Sequence, residues 1–304
     1  MTSLFQYLAL AFNGCVSWLH NTIGVAGRVL RRHVPGCMSN PRPIGVFDSG
    51  IGGLTVVKAL RDRLPNETIV YLGDTARVPY GPKSPETVQR YALELAHMLM
   101  QKNAKALVVA CNTVSSVALP LLTRKFYVPV VGVIEPGARA ALQATRNQHV
   151  GVIGTRATIR SGAYEKALCA IDNNVRVSSR ACPLLVPLIE EGLFDDDVTD
   201  RIIVRYLEPL LSDGIDTLVL GCTHYPLLRA ALARVLGREI ALVDSAQNCA
   251  TAVQETLDRE SLCSPATERG QLHVTLTDAA DNFLNVARDA LQLSFGEIEL
   301  QSLP

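Results

Sequence analysis

Residues 108–113 read VVACNT, and residues 219–224 read VLGCTH. Each stretch is a short apolar run that ends in a cysteine, and small polar or hydroxyl side chains follow that cysteine. Cys111 and Cys222 stand 111 positions apart. Short apolar runs between turn residues are typical of strands that a parallel sheet buries on both faces. The two stretches therefore predict two equivalent strands, each with a cysteine at its carboxyl end.

From residue 44 onward the chain alternates between two kinds of segment. Apolar runs such as TIVYLGD and HVGVIGT are followed by helical patterns such as LTVVKALRDRL and GARAALQAT. Strands that are apolar throughout and alternate with helices predict an α/β fold in which helices cover mostly parallel sheets.

The order of these segments also repeats along the chain. IGVFDSG at residue 44 resembles VGVIGTR at residue 150, and PVVGVIEPGARA at residue 129 resembles REIALVDSAQNCA at residue 238. This repeat predicts two pseudo-symmetric lobes, each a mostly parallel sheet flanked by helices. Open α/β sheets bind ligands at the carboxyl ends of their strands. Facing lobes would therefore place Cys111 and Cys222 on opposite sides of an active site in the inter-lobe cleft.

Composition limits the classes of function. The chain has 304 residues, of which 48% are apolar and 19% charged, and its 29 acidic residues balance 29 lysines and arginines. This predicts one large or two ordinary folded domains, and zero net charge argues against a general nucleic-acid binder. The eight cysteines are widely spaced and form no C-x-x-C pair. We therefore expect reduced thiols in a cytoplasmic protein, with no structural zinc and no other metal.

Residues 1–43 differ from the rest of the chain. They are largely apolar, contain no acidic residue and include Arg31 and Arg32. Because they lack a basic start and are interrupted by polar residues, we expect no membrane span and no secretory signal. Two interpretations stay open: an N-terminal extension that forms an amphipathic surface helix, or a start assigned too early, with Met38 as the true beginning.

The two cysteines suggest acid–base chemistry at carbon. Each lies where a helix is predicted to begin, and a helix amino terminus favours the thiolate. One cysteine after an apolar run is usually a buried core residue, but two equivalent ones with polar neighbours favour function. Opposed thiols can remove a proton from one face of a carbon and deliver one to the other. Such a site needs no cofactor, and neither G-x-x-x-x-G-K-[ST] nor G-x-G-x-x-G is present.

Several segments together resemble the glutamate racemase family: GVFDSGIGGLTVVKAL, YLGDTARVPYGPKSPETV, ALVVACNTVSSVALP, PVVGVIEPGARAA, ACPLLVPLIEEG and DTLVLGCTHYPLL. The resemblance runs from about residue 44 to about residue 250. It implies cofactor-independent interconversion of L- and D-glutamate, which supplies D-glutamate for peptidoglycan. It also implies an inserted second lobe, so that residues 44–135 plus 245–304 form the first lobe and residues 136–244 the second. Family members are commonly dimers, so a homodimer is open.

The resemblance also implies the residues of the site. The positions that match the catalytic cysteines and the residues that assist them are Cys111, Cys222, Asp48, His224 and Glu190. The positions that match substrate-binding residues are Asp48, Ser49, Tyr80, Gly81, Asn112, Thr113, Thr223 and His224. Glu191 is an alternative to Glu190, because the acidic pair in EEG leaves the alignment open by one residue. Asp48 as a helix cap, His224 as a structural histidine and Glu190 as a solvated helix end are the non-catalytic interpretations.

Two other functions remain open from the sequence. A racemase or isomerase of the same superfamily could act on aspartate, hydantoin or maleate, although DSGIGG and His224 favour glutamate. A non-catalytic solute receptor could also use two facing α/β lobes, but it would not need both cysteines. Since a thiolate is a weak base for an amino-acid α-proton, we expect the two lobes to close around the substrate and exclude water.

Overall fold

The computed structural model describes residues 40–279, 286–296 and 298–303, and in these residues the strands form two fully parallel sheets. The first sheet contains β1 (Ile44–Asp48), β2 (Ile69–Gly73), β3 (Ala106–Val109), β4 (Val130–Gly132), β9 (Leu272–Leu276) and β10 (Ile298–Leu300). The second contains β5 (His149–Gly154), β6 (Arg176–Ala181), β7 (Thr217–Gly221) and β8 (Ala241–Asp244). We refer to each sheet with the helices packed on it as the first and the second lobe.

Helices connect these strands, as the alternation predicts. They are α1 (Leu54–Arg63), α2 (Pro85–Gln101), α3 (Asn112–Lys125), α4 (Ile134–Ala144), α5 (Arg156–Ser161), α6 (Ala163–Ile171), α7 (Leu185–Glu190), α8 (Asp197–Ser212), α9 (Arg229–Leu236) and α10 (Ser245–Arg259). Their starts follow local capping chemistry. The side chains of Ser84, Thr155, Asp196 and Asp244 each accept a hydrogen bond from a backbone N–H in the first turn.

The predicted internal repeat is confirmed in the strand order. The first sheet runs β10-β9-β2-β1-β3-β4, and the second runs β6-β5-β7-β8. Four strands of the first sheet therefore have the same order as the whole second sheet, with β1 equivalent to β5 and β3 equivalent to β7. The central strands are buried along their full length, which accounts for their unbroken apolar sequences.

The last helix of each repeat packs on the other lobe. Helix α4 follows β4 of the first sheet, yet its buried residues Ile134, Ala138 and Ala141 join a core cluster with β5 and β7. Helix α10 follows β8 of the second sheet, yet its apolar face joins the core around α1. The packing of α4 on the second lobe and of α10 on the first supports the predicted lobe limits at residues 135/136 and 244/245, which stay a prediction.

The N-terminal segment lies largely outside the described residues. Residues 1–39 are not described, so both interpretations of residues 1–43 stay predictions. Within the described ranges, no helix combines the length and apolar character needed to cross a membrane.

Candidate active site

One pocket between the two lobes brings together most of the predicted site residues. Its lining includes Ser49, Tyr80, Gly81, Cys111, Asn112, Thr113, Cys222, Thr223 and His224. Cys111 follows β3 and Cys222 follows β7, so both sulfur-bearing residues come from equivalent strands of the repeat. Two predicted residues stand next to this lining rather than in it. Asp48 is completely buried behind it, and Glu190 lines a neighbouring pocket.

Cys111 lies at the N-cap of α3 and is almost fully buried. Its Sγ is 3.6 Å from the Ser49 hydroxyl, and the backbone N–H of Val114 also favours the thiolate. Burial has the larger effect, however, and together with the charge of Asp48 it raises the pKa of the Cys111 thiol well above its ordinary value. The N–H groups at the helix terminus do lower this pKa, but desolvation outweighs them, so the expectation of a net lowered pKa for Cys111 is wrong.

Asp48 ends β1 and is held by backbone donors. Its Oδ2 accepts hydrogen bonds from Gly53 N–H at 2.9 Å and from Gly50 N–H at 3.2 Å, and its Oδ1 accepts one from the Thr223 hydroxyl at 3.4 Å. Burial raises the pKa of Asp48, while His224 and the backbone donors oppose this shift. Asp48 is not the N-cap of α1, which is Gly53, but it contacts the N–H of that residue and also contacts the second lobe through Thr223.

Cys222, His224 and Glu190 form a chain of contacts. Cys222 Sγ lies 3.8 Å from His224 Nδ1, and His224 Nε2 lies 3.3 Å from Glu190 Oε1. Burial lowers the pKa of His224, but Cys222, Glu190 and Asp48 outweigh burial and raise that pKa to about 10. The ion-pair distance from His224 is to Glu190, the last residue of α7, whereas Glu191 is an exposed residue just beyond that helix.

The segment after Cys222 differs in one respect from the sequence prediction. Residues 222–224 form a turn, and a short 3-10 helix (Tyr225–Leu228) follows before α9 begins. Cys222 therefore does not cap an α-helix directly, as Cys111 does. Its nearest identified side-chain partner is the imidazole of His224.

Tyr80 and Gly81 belong to a loop that covers the pocket from the first lobe. The buried Tyr80 hydroxyl donates a hydrogen bond to the Asp74 carboxylate, which also accepts from Arg77 Nε at 2.7 Å and from the Thr277 hydroxyl at 2.9 Å. The Gly81 carbonyl accepts a hydrogen bond from the backbone N–H of Ala157 in the second lobe at 3.1 Å. The loop therefore contacts the second lobe through Gly81, and the hydrogen bond from Tyr80 to Asp74 fixes it to the first lobe.

Asn112 and Thr113, in the first turn of α3, also bond across the cleft. The Thr113 and Thr155 hydroxyl oxygens are 2.8 Å apart, and Asn112 Oδ1 accepts a hydrogen bond from the Tyr164 hydroxyl at 2.7 Å. Thr155 and Tyr164 were missed by sequence reasoning. The match of GVIGTR to GVFDSG could have indicated Thr155, which follows β5 as Ser49 follows β1, but no sequence signal indicates Tyr164.

The pocket between the lobes is nearly closed. Its cavity volume is about 20 Å³, which is room for about one water molecule. Glutamate is several times larger than a water molecule, so the pocket in this arrangement is too small for it, and closure of the lobes around the substrate stays a prediction. No group of three or more His, Cys, Asp or Glu side chains in the described part of the chain is arranged to hold a metal ion.

Known proteins are similar to this chain in both sequence and architecture. The sequence profile of the Asp/Glu/Hydantoin racemase family matches residues 54–253. A glutamate racemase of Geobacter metallireducens is 51% identical over 262 residues, which cover 86% of this chain and 97% of that protein. The chain belongs to the glutamate racemase family. Another glutamate racemase, from Syntrophus aciditrophicus, is 49% identical and covers 84% of this chain and 95% of its own length.

Solved glutamate racemase structures have the same fold. A glutamate racemase isoform from Bacillus anthracis has a TM-score of 0.83 at 40% identity, covering 86% of this chain and 98% of that chain. The Francisella tularensis glutamate racemase, solved in complex with D-glutamate, has a TM-score of 0.79 at 36% identity with the same coverages. The two-lobed α/β architecture predicted from the repeat is thus that of the glutamate racemase family.

Proposed function

We propose that this protein interconverts L- and D-glutamate by a two-base mechanism in which Cys111 and Cys222 act on opposite faces of the α-carbon. One observation carries the proposal: both cysteines line a single buried pocket, each at the carboxyl end of an equivalent strand. Relatives that are glutamate racemases at 51% and 49% identity support glutamate as the substrate. In this role the protein supplies D-glutamate for peptidoglycan and acts in the cytoplasm.

The proposed reaction balances without a cofactor. One cysteine, as a thiolate, takes the proton from Cα, and the electron pair of the broken C–H bond moves towards the neighbouring carboxylate. The thiol of the other cysteine then gives its proton to the opposite face of the same carbon and becomes the thiolate. The configuration at Cα is inverted, and only the position of the negative charge between the two sulfur atoms has changed.

Substrate binding relies on hydroxyl and amide donors rather than on a cluster of basic residues. The hydroxyls of Ser49, Thr113 and Thr223 and the amide of Asn112 all line the pocket. Such donors, together with the N–H groups at the start of α3, can hold carboxylates. They also suit the transition state, in which negative charge builds on the carboxylate next to Cα.

The two cysteines have different charged neighbours, Asp48 beside Cys111 and His224 beside Cys222. Burial and Asp48 keep Cys111 as a thiol, because both raise the pKa of its sulfhydryl. His224 stands next to Cys222, and with Glu190 behind it the imidazole can carry a positive charge at neutral pH. In the resting enzyme Cys111 is therefore a thiol that can act as the acid, and the charged imidazole of His224 lies next to Cys222. Asp48 acts on Cys111 through its negative charge, which favours the thiol over the thiolate.

Solvent exchange at Cα tests the proposal. Each glutamate enantiomer is incubated in deuterated water, Cα–H is followed by proton NMR, and enantiomer content is followed by polarimetry. We expect the inverted product to carry deuterium at Cα from the first turnover. An inverted product without deuterium would contradict the mechanism. L- and D-aspartate serve as parallel substrates, and faster inversion of aspartate than of glutamate would show that the substrate assignment is wrong.

Single cysteine variants test the two-base arrangement. We expect Cys111→Ser and Cys222→Ser each to lower racemisation by about 10²–10⁴-fold, because each removes one acid–base group. Each variant should keep Cα exchange with only one glutamate enantiomer, and the two variants should differ in which one. Cys169→Ser, at an exposed cysteine, is the matched control. Full activity in either site variant would contradict the model.

The oligomeric state is a separate prediction. The family resemblance leaves a homodimer open, and sedimentation equilibrium of the full chain would measure it. We assign no interface and expect no nucleic-acid partner, because the chain has no basic excess.

A further inference from the structure

Tyr164 of α6 reaches from the second lobe into the first. Its side chain is almost fully buried, and its hydroxyl donates a hydrogen bond to Asn112 Oδ1 at 2.7 Å. Asn112 directly follows Cys111 and lines the pocket between the lobes. A tyrosine that lies outside the pocket lining thus contacts the first-lobe cysteine segment.

The ring of Tyr164 also contacts the segment of the other cysteine. A Cβ atom added to Gly221, the residue before Cys222, would lie 3.0 Å from Tyr164 Cε2. A Cβ atom added to Gly137 on α4 would lie 3.3 Å from both Cε1 and the hydroxyl oxygen. The two glycines therefore leave the space that the ring fills. One side chain packs beside the residue that precedes Cys222 and bonds to the residue that follows Cys111.

The hydrogen bonds around Tyr164 select one orientation of the Asn112 amide. Ser245, at the start of α10, forms a hydrogen bond with the Tyr164 hydroxyl and lies 3.5 Å from Asn112 Nδ2. Burial raises the pKa of Tyr164, so its hydroxyl stays protonated and can donate to Asn112 Oδ1. The amide oxygen is thereby occupied, and the NH₂ group, which has two hydrogens, keeps a donor for another partner.

We propose that Tyr164 is a positioning residue for racemisation, which orients the Asn112 amide so that it presents a donor to a substrate carboxylate. The inference rests on the proposed function, because it takes Asn112 as a substrate-binding residue. An asparagine can turn either its carbonyl or its NH₂ group towards a ligand, and a carboxylate accepts hydrogen bonds only.

The test is Tyr164→Phe, which removes the hydroxyl and keeps the ring beside Gly221. We expect the KM for glutamate to rise roughly tenfold, as for the loss of a hydrogen bond to a charged group, while kcat changes less than threefold. The matched control is Thr199→Val. It removes another fully buried hydroxyl of the second lobe, which donates to the Leu193 carbonyl at 2.8 Å. We expect its KM to stay within about twofold of wild type.

A double-mutant cycle shows whether Tyr164 acts through Asn112. In an Asn112→Ala background, adding Tyr164→Phe should raise KM no further, because the amide that Tyr164 orients is gone. KM increases that multiply in the double variant would overturn the proposal. An unchanged KM in folded Tyr164→Phe would also overturn it.

Ser245→Ala examines the same hydrogen-bond chain if Tyr164→Phe does not fold. It should raise KM in the same direction with little effect on kcat, and an unchanged KM would again overturn the proposal. The activity of the wild-type protein distinguishes failure of the proposed function from failure of the role of Tyr164. If the wild-type protein does not racemise glutamate, the proposed function fails. If it does and KM is insensitive to these variants, only the role of Tyr164 fails.

Discussion

Gly52 is the position at which a single methyl group should damage the site most selectively. It lies in the turn before α1 of the first lobe, opposite the Cys222 segment of the second. A Cβ atom at this position would lie 2.4 Å from His224 Nδ1 and 2.5 Å from the Thr223 hydroxyl oxygen. Gly52 does not require the left-handed backbone region. Gly52→Ala is therefore a steric perturbation with no added backbone strain.

The distances give the size of the effect. To regain ordinary van der Waals contact, the imidazole of His224 must move by about 1 Å. The contact between Nδ1 and Cys222 Sγ is already long at 3.8 Å, so a shift of the ring away from Gly52 can break it. Misplacement of a catalytic group by about 1 Å costs roughly 100-fold in rate, and overpacking costs about 1–3 kcal/mol of stability.

We therefore expect Gly52→Ala to lower kcat/KM for glutamate by about 100-fold while the protein still folds. Polarimetry measures racemisation from each enantiomer, and urea denaturation measures the free energy of unfolding. Gly296→Ala is the matched control, because apart from the chain neighbours no heavy atom of the described residues lies within 4 Å of the added Cβ there. Activity of Gly52→Ala within about threefold of wild type would refute the argument that close packing at Gly52 fixes His224.

Two further predictions concern charge. The raised pKa of His224, about 10, means that its protonation stabilises the fold fully below about pH 6.5, and that this contribution is lost as pH rises towards 10. Glu190→Gln should weaken that pH dependence in urea denaturation and slow racemisation, whereas an equal effect of Glu191→Gln would contradict the assignment of Glu190. Lys105 is fully buried, and its Nζ lies 2.6 Å from Glu67 Oε2. We expect Lys105→Met to lower the free energy of unfolding by about 3–5 kcal/mol, because it leaves a buried carboxylate without its partner, and the double variant Lys105→Met/Glu67→Gln to recover much of that loss. A double variant that recovers none of it would argue against the ion pair as the cause.

The pattern of strands, and the position of the cysteines on them, could be predicted from the sequence. Apolar runs that end at Cys111 and Cys222 become β3 and β7, and the repeat of segments becomes a repeat of strand order. These features depend on local periodicity and on glycine-rich turns, which neighbouring residues determine. Helix starts depend on equally local chemistry, since at Ser84 and Asp244 one side chain caps the turn that follows it.

Contacts between residues that are far apart in the sequence could not be predicted from local patterns. Which of Glu190 and Glu191 contacts His224 depends on the face of α7 that packs against the imidazole. The direction of the pKa shift of Cys111 depends on burial, which outweighs the local effect of the helix start. The packing of α4 on the second lobe and of α10 on the first likewise depends on contacts between distant residues, and only the family resemblance, not a local pattern, implied it.

Tyr164 shows most clearly the difference between features that local sequence determines and features that tertiary contacts determine. By itself the sequence determined that each lobe would carry a cysteine at a strand end, because strand and turn formation are short-range properties. Only the tertiary structure decided that a tyrosine 52 positions after Asn112 would bond to it. Packing brings such residues together through the summed burial of many side chains, and no local sequence pattern records which surfaces will meet.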